Sequence, residues 1–582
     1  MKIRINKVNN STHLCFLAKA PHANTKENLS ISVVDDQNMQ LFTQQCFNAE
    51  DYEYTHWQLT DHPTTVFLEI CDPVGELSLE YFVLYDSRNV MDEGVKFLRR
   101  ENDLLFWDDQ QSFAKHYAKN RYRPQFHFSA YKNWINDPNG LIFHNGYFHL
   151  FYQYYPHQPE WGNMHWGHAV SKDGIRWTHL PIALLPQIKD VFFGGSFSGS
   201  ALVKDNKLTL IYTHHFEDAR NKIKFQTSDF IENQELATSE DGVVFLRNEE
   251  AVLKWTDRPK LASQDFRDPK VWLDQDNQYK MILGSSYEGQ LAVLIYSSSD
   301  LITWNFTGPL YIEKEIHGRC IECPDLFPVG DKYVLIASII ENINGSPKHV
   351  TRYHIGDYRN NRFVSQFNQV IDIGPSFYAV QTFDYAGERR GIAWLDSWQD
   401  DKKSTAKEFA GVMSLPFSLG IKGNKLQIKP LAELAKLRKL PAVLSTPETE
   451  FKICPESSFE LKIRLNAARS TKLVKIHLQT YSDSEYIAIN LDLASAQIDC
   501  TISEQDRRVN YQQQIDIIDD YIDLHLYFDR SAVELFCADY TLRGSFRFYW
   551  ETALQQLNLL NYQLESGESA ELYNLKSIWG EI

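Results

Sequence analysis

The sequence has no long apolar run, few cysteines and fewer basic than acidic residues, and each shortage excludes a class of protein. No apolar run reaches the roughly 18 residues that a membrane-spanning helix needs. Eight cysteines scattered over 582 residues are too few for a disulfide-based scaffold. The 59 Lys and Arg against 76 Asp and Glu give a formal net charge of −17. Such a surface would repel nucleic acid and anionic membranes, so we expect neither as a partner.

The sequence also lacks the motifs of several enzyme classes. It shows no glycine-rich phosphate loop and no serine nucleophile elbow. Cys320 and Cys323 form one C-x-x-C motif, but a structural zinc site usually needs a second pair. His165 and His168 would lie on opposite faces of a strand, so structural or sugar-contacting roles are favoured over a metal site. We expect structural or sugar-contacting roles for the adjacent His214 and His215 as well. We therefore expect no metal and no cofactor.

The N-terminus favours a cytoplasmic protein. Its apolar run at residues 14–18 is too short for the core of a secretion signal. Free thiols in a reducing compartment fit the scattered cysteines. Homo-oligomerisation is compatible with this composition.

What the chain has in abundance is aromatic residues and short strands. It contains 13 Trp, 30 Tyr and 35 Phe, and its apolar stretches alternate with turn residues such as Asn145-Gly146. Residues 171–177, 239–245 and 298–304 share the pattern S-x-D-x-[I/V]-x-[W/F]. Repeated hairpins of this kind predict a β-propeller with one small sheet per blade. The alternative is chance recurrence of a hairpin pattern.

The chain divides into three predicted regions, all of them rich in β-structure. Residues 1–110 form a β-rich domain of unknown role, residues 120–430 a propeller, and residues 448–582 an antiparallel sandwich. The N-terminal region has no catalytic motif. We expect it to bury an apolar face against the propeller or a neighbouring subunit. A sugar-binding platform formed by aromatics such as Trp57 and Tyr81 is the alternative.

Three acidic residues stand in unusual settings: Asp137 in W-I-N-D-P-N-G, Asp268 in F-R-D-P-K and Glu322 in C-I-E-C-P-D. Each motif alone could be an ordinary turn or surface contact. A propeller, however, lines one central channel with the inner strand of every blade. Two carboxyl groups roughly 5–5.5 Å apart can cleave a glycoside with retention, one as nucleophile and one as acid. Apolar packing by the two neighbouring thiols predicts a raised pKa for Glu322.

The motifs together resemble those of glycoside hydrolase family 32, the β-fructofuranosidases. The resemblance begins at residues 122–128 (YRPQFHF) and covers about residues 120–582. It rests on the ordered series WINDPNG, FYQY, WGNMHWGH, FSGS, FRDP, ECPD, FYA, MSLP and FDRSAVELF. Two departures stand out: Tyr155 precedes Pro156 where the family usually has Asn, and about 120 residues precede the first motif.

The resemblance implies an all-β fold, a five-bladed propeller followed by a β-sandwich, with the N-terminal β-rich domain as an addition. It implies that Asp137 is the nucleophile, Asp268 the transition-state stabiliser and Glu322 the acid/base. It places six further residues around the fructose: Asn136, Gln153, Trp161, Phe197, Ser198 and Arg267. Trp398 matches a substrate-contacting tryptophan, with Trp394 as the alternative.

These observations predict a retaining exo-acting β-fructosidase. Its substrates would be sucrose, sucrose-6-phosphate or short fructo-oligosaccharides. The alternatives are an endo-levanase or endo-inulinase, a transfructosylase, and a fructan-binding protein that has lost catalysis. The sequence alone does not separate exo from endo action, because loop shape at the pocket rim decides it.

Overall fold

Nearly every element in the computed structural model of this chain is a β-strand, which confirms the predicted all-β class. The structure describes residues 2–580 except 7–10, 20–29, 36, 45–52, 60–64, 73–76, 108–111, 187–192, 218–229, 344–345, 399–407, 440–441, 444–449, 453–457, 467–472, 506, 518–519 and 561–567. The predicted boundaries at residues 110 and 448 lie outside this described part. The helices within it are α1 (Val90–Glu93), α2 (Phe113–Lys119) and two 3₁₀ turns, Trp255–Asp257 and Ala432–Leu437. No described helix has the length and apolar character needed to cross a bilayer.

The N-terminal region consists of two packed sheets. Its strands are β1 (Lys2–Asn6), β2 (His13–Lys19), β3 (Ser30–Val34), β4 (Gln40–Gln44), β5 (Glu53–Gln58), β6 (Thr65–Cys71), β7 (Ser78–Tyr85), β8 (Lys96–Phe97), β9 (Arg99–Glu101) and β10 (Leu104–Phe106). One sheet has the order β4-β3-β6-β1-β10-β9 and the other β5-β2-β7-β8. Trp57 is buried in the core between them, which favours a packing role for its ring.

The second sheet of this region packs against the rest of the chain. The Phe97 ring stacks on Tyr131 with a centroid distance of 4.1 Å, and Tyr81 meets Tyr154 at 6.3 Å. These rings belong to one apolar cluster that also contains residues of the following sheet and of the C-terminal region. The contact is the apolar face that the sequence predicts for this region.

Five antiparallel sheets follow, each with four principal strands. The first contains β11 (Asn133–His144), β12 (Tyr147–Tyr155), β13 (His165–Ser171) and β14 (Thr178–His179). The second contains β15 (Phe193–Lys204), β16 (Lys207–Glu217), β17 (Ile231–Ser239) and β18 (Leu246–Arg247). The third contains β19 (Arg267–Leu273), β20 (Tyr279–Tyr287), β21 (Gln290–Ser298) and β22 (Asn305–Ile312). The fourth contains β23 (Gly318–Val329), β24 (Lys332–Ile343), β25 (Ser346–Arg359) and β26 (Arg362–Val370).

The fifth sheet joins the ends of the ring. It contains β27 (Tyr378–Tyr385), β28 (Glu388–Leu395), β31 (Phe417–Lys422) and β32 (Lys425–Pro430), with the short strands β29 (Phe409–Ala410) and β30 (Val412–Met413) between them. β29 pairs in parallel with β11 of the first sheet, and β30 pairs with β28. The first strands of the five sheets, β11, β15, β19, β23 and β27, contact one another in cyclic order. This is the five-bladed arrangement predicted from the sequence.

The repeated sequence pattern is a repeated turn. Ser171, Ser239 and Ser298 each end the third strand of a blade. Each serine hydroxyl contacts the aspartate two positions later and accepts the backbone N–H three positions later. Each aspartate carboxylate then accepts the next N–H groups of the turn. The pattern therefore fixes the turn into the fourth strand of blades one to three.

The C-terminal region is a sandwich of two six-stranded sheets, as predicted. One sheet has the order β33 (Ala442–Val443), β44 (Ser569–Asn574), β35 (Ser458–Asn466), β40 (Tyr521–Asp529), β41 (Ala532–Cys537), β42 (Leu542–Arg547). The other has the order β34 (Glu450–Lys452), β43 (Leu554–Leu560), β36 (Leu473–Thr480), β37 (Tyr486–Asp492), β38 (Gln497–Glu504), β39 (Arg507–Gln514). Alternating apolar residues of both sheets form its core.

Candidate active site

All ten residues that the sequence predicts for the site line one cavity at the centre of the propeller. The cavity has a volume of about 350 Å³, which is within the usual range for small-ligand sites. The ten are Asn136, Asp137, Gln153, Trp161, Phe197, Ser198, Arg267, Asp268, Glu322 and Trp398. They come from all five blades or the segments next to them, although they are spread over more than 260 positions of the sequence.

A β-bulge in the first strand of every blade turns these side chains into the cavity. The first strand gains one residue over the second strand between Ile135 and Pro138, Ser196 and Gly199, Arg267 and Lys270, Glu322 and Asp325, and Tyr378 and Gln381. Bulges re-aim side chains and are common beside active sites. Asp268 and Cys323 lie within their bulges at φ values of 64° and 47°. The motifs of the sequence therefore encode five equivalent bends.

Asp137 is held at the bulge of blade one by two neighbouring polar side chains. Its Oδ2 accepts a 2.6 Å hydrogen bond from the Ser198 hydroxyl, and its Oδ1 accepts a 3.1 Å bond from the Asn136 amide. The Cys323 thiol lies 3.4 Å from Oδ2. Burial raises the pKa of Asp137, and the Glu322 carboxylate raises it further against the effect of these hydrogen bonds.

Asp268 has fewer donors. Its Oδ2 accepts the Cys323 backbone N–H at 2.8 Å, and the Cys323 thiol is 3.6 Å away. Burial raises the pKa of Asp268 to about 8; the Arg267 charge opposes this shift, while the carboxylates of Glu322 and Asp137 add to it. A carboxyl group with a pKa raised this far is protonated at neutral pH unless a ligand supplies hydrogen-bond donors to it.

Both carboxylate oxygens of Glu322 accept hydrogen bonds. Oε1 accepts a 2.8 Å hydrogen bond from Arg267 Nη2, and Oε2 accepts a 2.6 Å bond from the Tyr378 hydroxyl. Burial alone would raise the pKa of Glu322, but the Arg267 charge and these two hydrogen bonds outweigh it, and the pKa is lowered. The raised pKa of Glu322 predicted from the neighbouring thiols is therefore wrong, because the motif does not show that Arg267 reaches Glu322.

Arg267 connects Glu322 to a wider network of charges. Its Nη1 donates to Asp265 at 2.6 Å and to Glu232 at 3.1 Å, and its Nη2 also contacts the Cys320 sulfur at 3.1 Å. Glu232 in turn accepts a 3.0 Å contact from His215 Nδ1. This arrangement fixes the guanidinium plane and leaves Arg267 strongly cationic despite its burial.

Aromatic rings form one wall of the cavity. Trp161 is 38% exposed and meets Phe197 and Trp398 edge-on, with centroid distances of 6.0 and 6.4 Å. Trp398, rather than the fully buried Trp394, lines the cavity. A hydrophobic wall facing several polar groups is typical of sugar sites.

Sequence reasoning missed several residues of the cavity. They are Glu217, Phe230, Glu232, Arg319, Ile340, His349 and Tyr378; His215 also lines the cavity, in agreement with the sugar-contacting role considered for it. Most belong to second or third strands of blades, where no motif surrounds them. Tyr378 could have been predicted from the sequence, because it belongs to the FYA motif, which forms the fifth bulge.

The histidines considered for a metal site lie in three different settings. His165 is buried with Nδ1 2.9 Å from the Asn163 carbonyl oxygen, and His168 is buried beside His149 at 3.1 Å. His214 contacts Glu235, whereas His215 lines the cavity and stacks on Phe197 at 4.2 Å. Within the described ranges, no three His, Cys, Asp or Glu side chains are arranged to hold a metal ion.

Comparison with known proteins agrees with this geometry. The family model described as "Glycosyl hydrolases family 32 N-terminal domain" matches residues 127–430. The chain belongs to glycoside hydrolase family 32. Family 32 sucrose-6-phosphate hydrolases are among its relatives: the Zymomonas mobilis protein is 32% identical over 466 residues, 75% of this chain and 88% of that protein. The Escherichia coli protein is 31% identical over 478 residues, 77% of this chain and 94% of that protein. The predicted family and glycosidase class are confirmed.

Solved structures of family 32 are similar along most of the chain. A variant of the Bombyx mori β-fructofuranosidase in complex with sucrose has a TM-score of 0.69 and 30% identity, and the match covers 80% of this chain and 97% of that one. A family 32 protein from Bifidobacterium adolescentis has a TM-score of 0.82 at 22% identity and covers 100% of both chains. The second match includes the N-terminal domain and confirms the fold.

Proposed function

We propose that this chain hydrolyses β-D-fructofuranosides with retention and releases terminal fructosyl units. Its substrates are sucrose, sucrose-6-phosphate or short fructo-oligosaccharides. The observation that carries the proposal is the convergence of Asp137, Asp268 and Glu322 on one cavity with an aromatic wall. Relatives named sucrose-6-phosphate hydrolase and raffinose invertase support the fructoside class and favour hydrolysis over the alternatives.

In this proposal Asp137 attacks the anomeric carbon. Its carboxylate is fixed by Ser198 and Asn136, so the nucleophile needs little reorientation before attack. The carbon–oxygen bond to the leaving group breaks as the fructosyl ester forms. Water then hydrolyses this ester and regenerates the Asp137 carboxylate.

Glu322 protonates the departing oxygen and then removes a proton from the attacking water. Arg267 and Tyr378 favour its ionised form, whereas the pKa of Asp268 is raised to about 8, which favours its protonated form at neutral pH. Fructose hydroxyl groups that donate to Asp268 would lower the pKa of that carboxyl. A leaving group that shields Glu322 from water would raise the pKa of Glu322. On substrate binding, these two effects would favour a proton on Glu322, where the proposed mechanism needs it.

Asp268 stabilises the transition state. Positive charge develops on the fructosyl ring as the leaving group departs, and a nearby carboxylate interacts with it favourably. The Cys323 backbone N–H that holds Asp268 belongs to the residue directly after Glu322. The spacing between stabiliser and acid is thus set by one bulge.

Product analysis tests the proposal. The protein is incubated with sucrose, sucrose-6-phosphate, 1-kestose, inulin and levan, with the Asp137→Asn variant as the control. We expect free fructose as the early product from every substrate that is cleaved. Early oligosaccharides from inulin or levan would indicate an endo enzyme, longer products from sucrose a transfructosylase, and no release from any substrate a binding protein.

A further inference from the structure

The strand of the N-terminal domain that faces the propeller is itself bulged. Cys15 pairs with Val83, but Leu17 pairs with Glu80, so β7 gains one residue between them. Tyr81 lies in this bulge at a φ of 54°. A bulky residue in the left-handed region is rare, and such outliers persist where the surrounding structure enforces them, often at functional sites.

The bulge directs two side chains at the part of blade one that lines the cavity. The Tyr81 ring packs edge-on against Tyr154, which directly follows the cavity residue Gln153. Tyr154 also pairs with Ile135, at the start of the bulge that presents Asp137. Tyr81 therefore packs against β12, the strand that pairs with β11 and so with the strand that carries the proposed nucleophile, Asp137.

The other side chain, Glu80, reaches the segment that carries Trp161. Its Oε2 lies 3.0 Å from His157 Nδ1, with side-chain exposures of 34% for Glu80 and 7% for His157. Residues 156–164 connect β12 to β13 and bring Trp161 to the cavity. The far end of this segment is held by the Asn163 side chain, which accepts the Gly194 N–H at 3.1 Å.

We propose that Glu80 and Tyr81 are positioning residues for the cavity, Glu80 for the segment that carries Trp161 and Tyr81 for the strand beside Asp137, so that the N-terminal domain contributes to fructoside affinity. The family model begins at residue 127, so both residues lie outside the part of the chain that it matches. The inference rests on the proposed function, because it concerns how that same site binds its sugar.

The test compares the steady-state kinetics of Glu80→Gln with the wild-type protein on sucrose. Glutamine keeps the shape of the side chain and removes its charge. We expect KM to rise by up to about fivefold, the upper range for a side-chain contact that is partly exposed to solvent. The value of kcat stays within about twofold, because the lost contact affects binding in the ground state and transition state alike.

Two further variants show whether the effect runs through His157. In a double-mutant cycle, the effects of Glu80→Gln and His157→Gln on KM should be less than additive, since both weaken the same contact. Glu69→Gln is the matched control. Glu69 lies in the same domain, on β6 of the other sheet, and forms a partly exposed ion pair with Lys2. It should leave KM unchanged.

The outcomes separate this inference from the proposed function. A wild-type protein that releases no fructose from any fructoside overturns both. A wild-type protein that is active, with an unchanged KM in Glu80→Gln, overturns the inference alone. An equal rise of KM in Glu69→Gln also overturns it, because the effect would then reflect general destabilisation of the domain. Additive effects of Glu80→Gln and His157→Gln contradict the proposed contact.

Discussion

Asp529 in the C-terminal region and Asp268 in the cavity are both buried, but their carboxyl groups have very different numbers of hydrogen-bond donors. At the seam between propeller and sandwich, Asp529 accepts the backbone N–H groups of residues 125, 126 and 127, a His127 ring nitrogen and the Ser458 hydroxyl. In the cavity, Asp268 has no donor other than Cys323 among the described residues. Burial opposes ionisation at both places. The pKa of Asp529 is nevertheless lowered, whereas that of Asp268 is raised to about 8.

Glu534 completes the contrast. It contacts His127, the Leu415 N–H and Arg543; burial would raise its pKa, but these cations and hydrogen bonds lower it. Asp268 and Asp529 are both buried, so the difference between their pKa values lies in the supply of donors. A saturated carboxylate holds domains together, while an unsaturated one has hydrogen-bonding capacity left for a substrate.

The largest expected effect is that of Asp137→Asn. We expect kcat on sucrose to fall by roughly four orders of magnitude or more, because no covalent intermediate can form. The midpoint of thermal unfolding should stay the same or rise, since burial disfavours the Asp137 charge. Activity within tenfold of the wild-type value would refute the assignment of the nucleophile.

Glu322→Gln tests whether Glu322 is the general acid. Loss of the general acid should lower kcat/KM on sucrose by about 10²- to 10⁴-fold. An activated fructoside, whose leaving group needs no proton, should keep most of its kcat/KM. Equal losses on the two substrates would contradict the role of Glu322 as acid.

Asp529→Asn tests the seam. Removing one partner of a buried ion pair costs about 3–5 kcal/mol, so the free energy of unfolding in urea should fall by that amount. Asp523→Asn is the matched control, because Asp523 lies on the same strand with its side chain about half exposed. The kcat of the folded Asp529→Asn protein should be close to normal. A small effect on unfolding, similar to that of the control, would remove the contrast between the regions.

A smaller effect concerns pH. The folded protein holds the Asp268 proton up to about pH 8, against 3.8 for the free side chain, so unfolding between these values releases a proton. This group therefore makes the free energy of unfolding decrease as pH rises through that window. Asp268→Asn should show a weaker decrease, and at pH 8 it should be the more stable protein. Parallel pH profiles of the two proteins would argue against a protonated Asp268.

The repeated hairpins predicted a propeller, and the resemblance to family 32 implied its five blades and the ten cavity residues, because local motifs carry both signals. The Ser–Asp turns mark the blades, and motifs around Asp137, Asp268 and Glu322 encode bulges. Residues such as Glu232 were not predictable, because they reach the site through pairing between distant strands. The same reason explains the wrong pKa direction for Glu322: its partner Arg267 lies 55 positions away, and no local pattern reports that contact.

The most direct test of the central claim is to trap the fructosyl intermediate on Asp137. In Glu322→Gln an activated fructoside can still transfer its fructosyl group, but no base assists hydrolysis, so the ester should accumulate. After an acid quench and proteolysis, mass spectrometry should find one added fructosyl unit on the peptide that contains Asp137. The adduct should be absent when Asp137→Asn is combined with Glu322→Gln. A fructosyl adduct on the Asp268 peptide, or none on any peptide during turnover, would contradict the account.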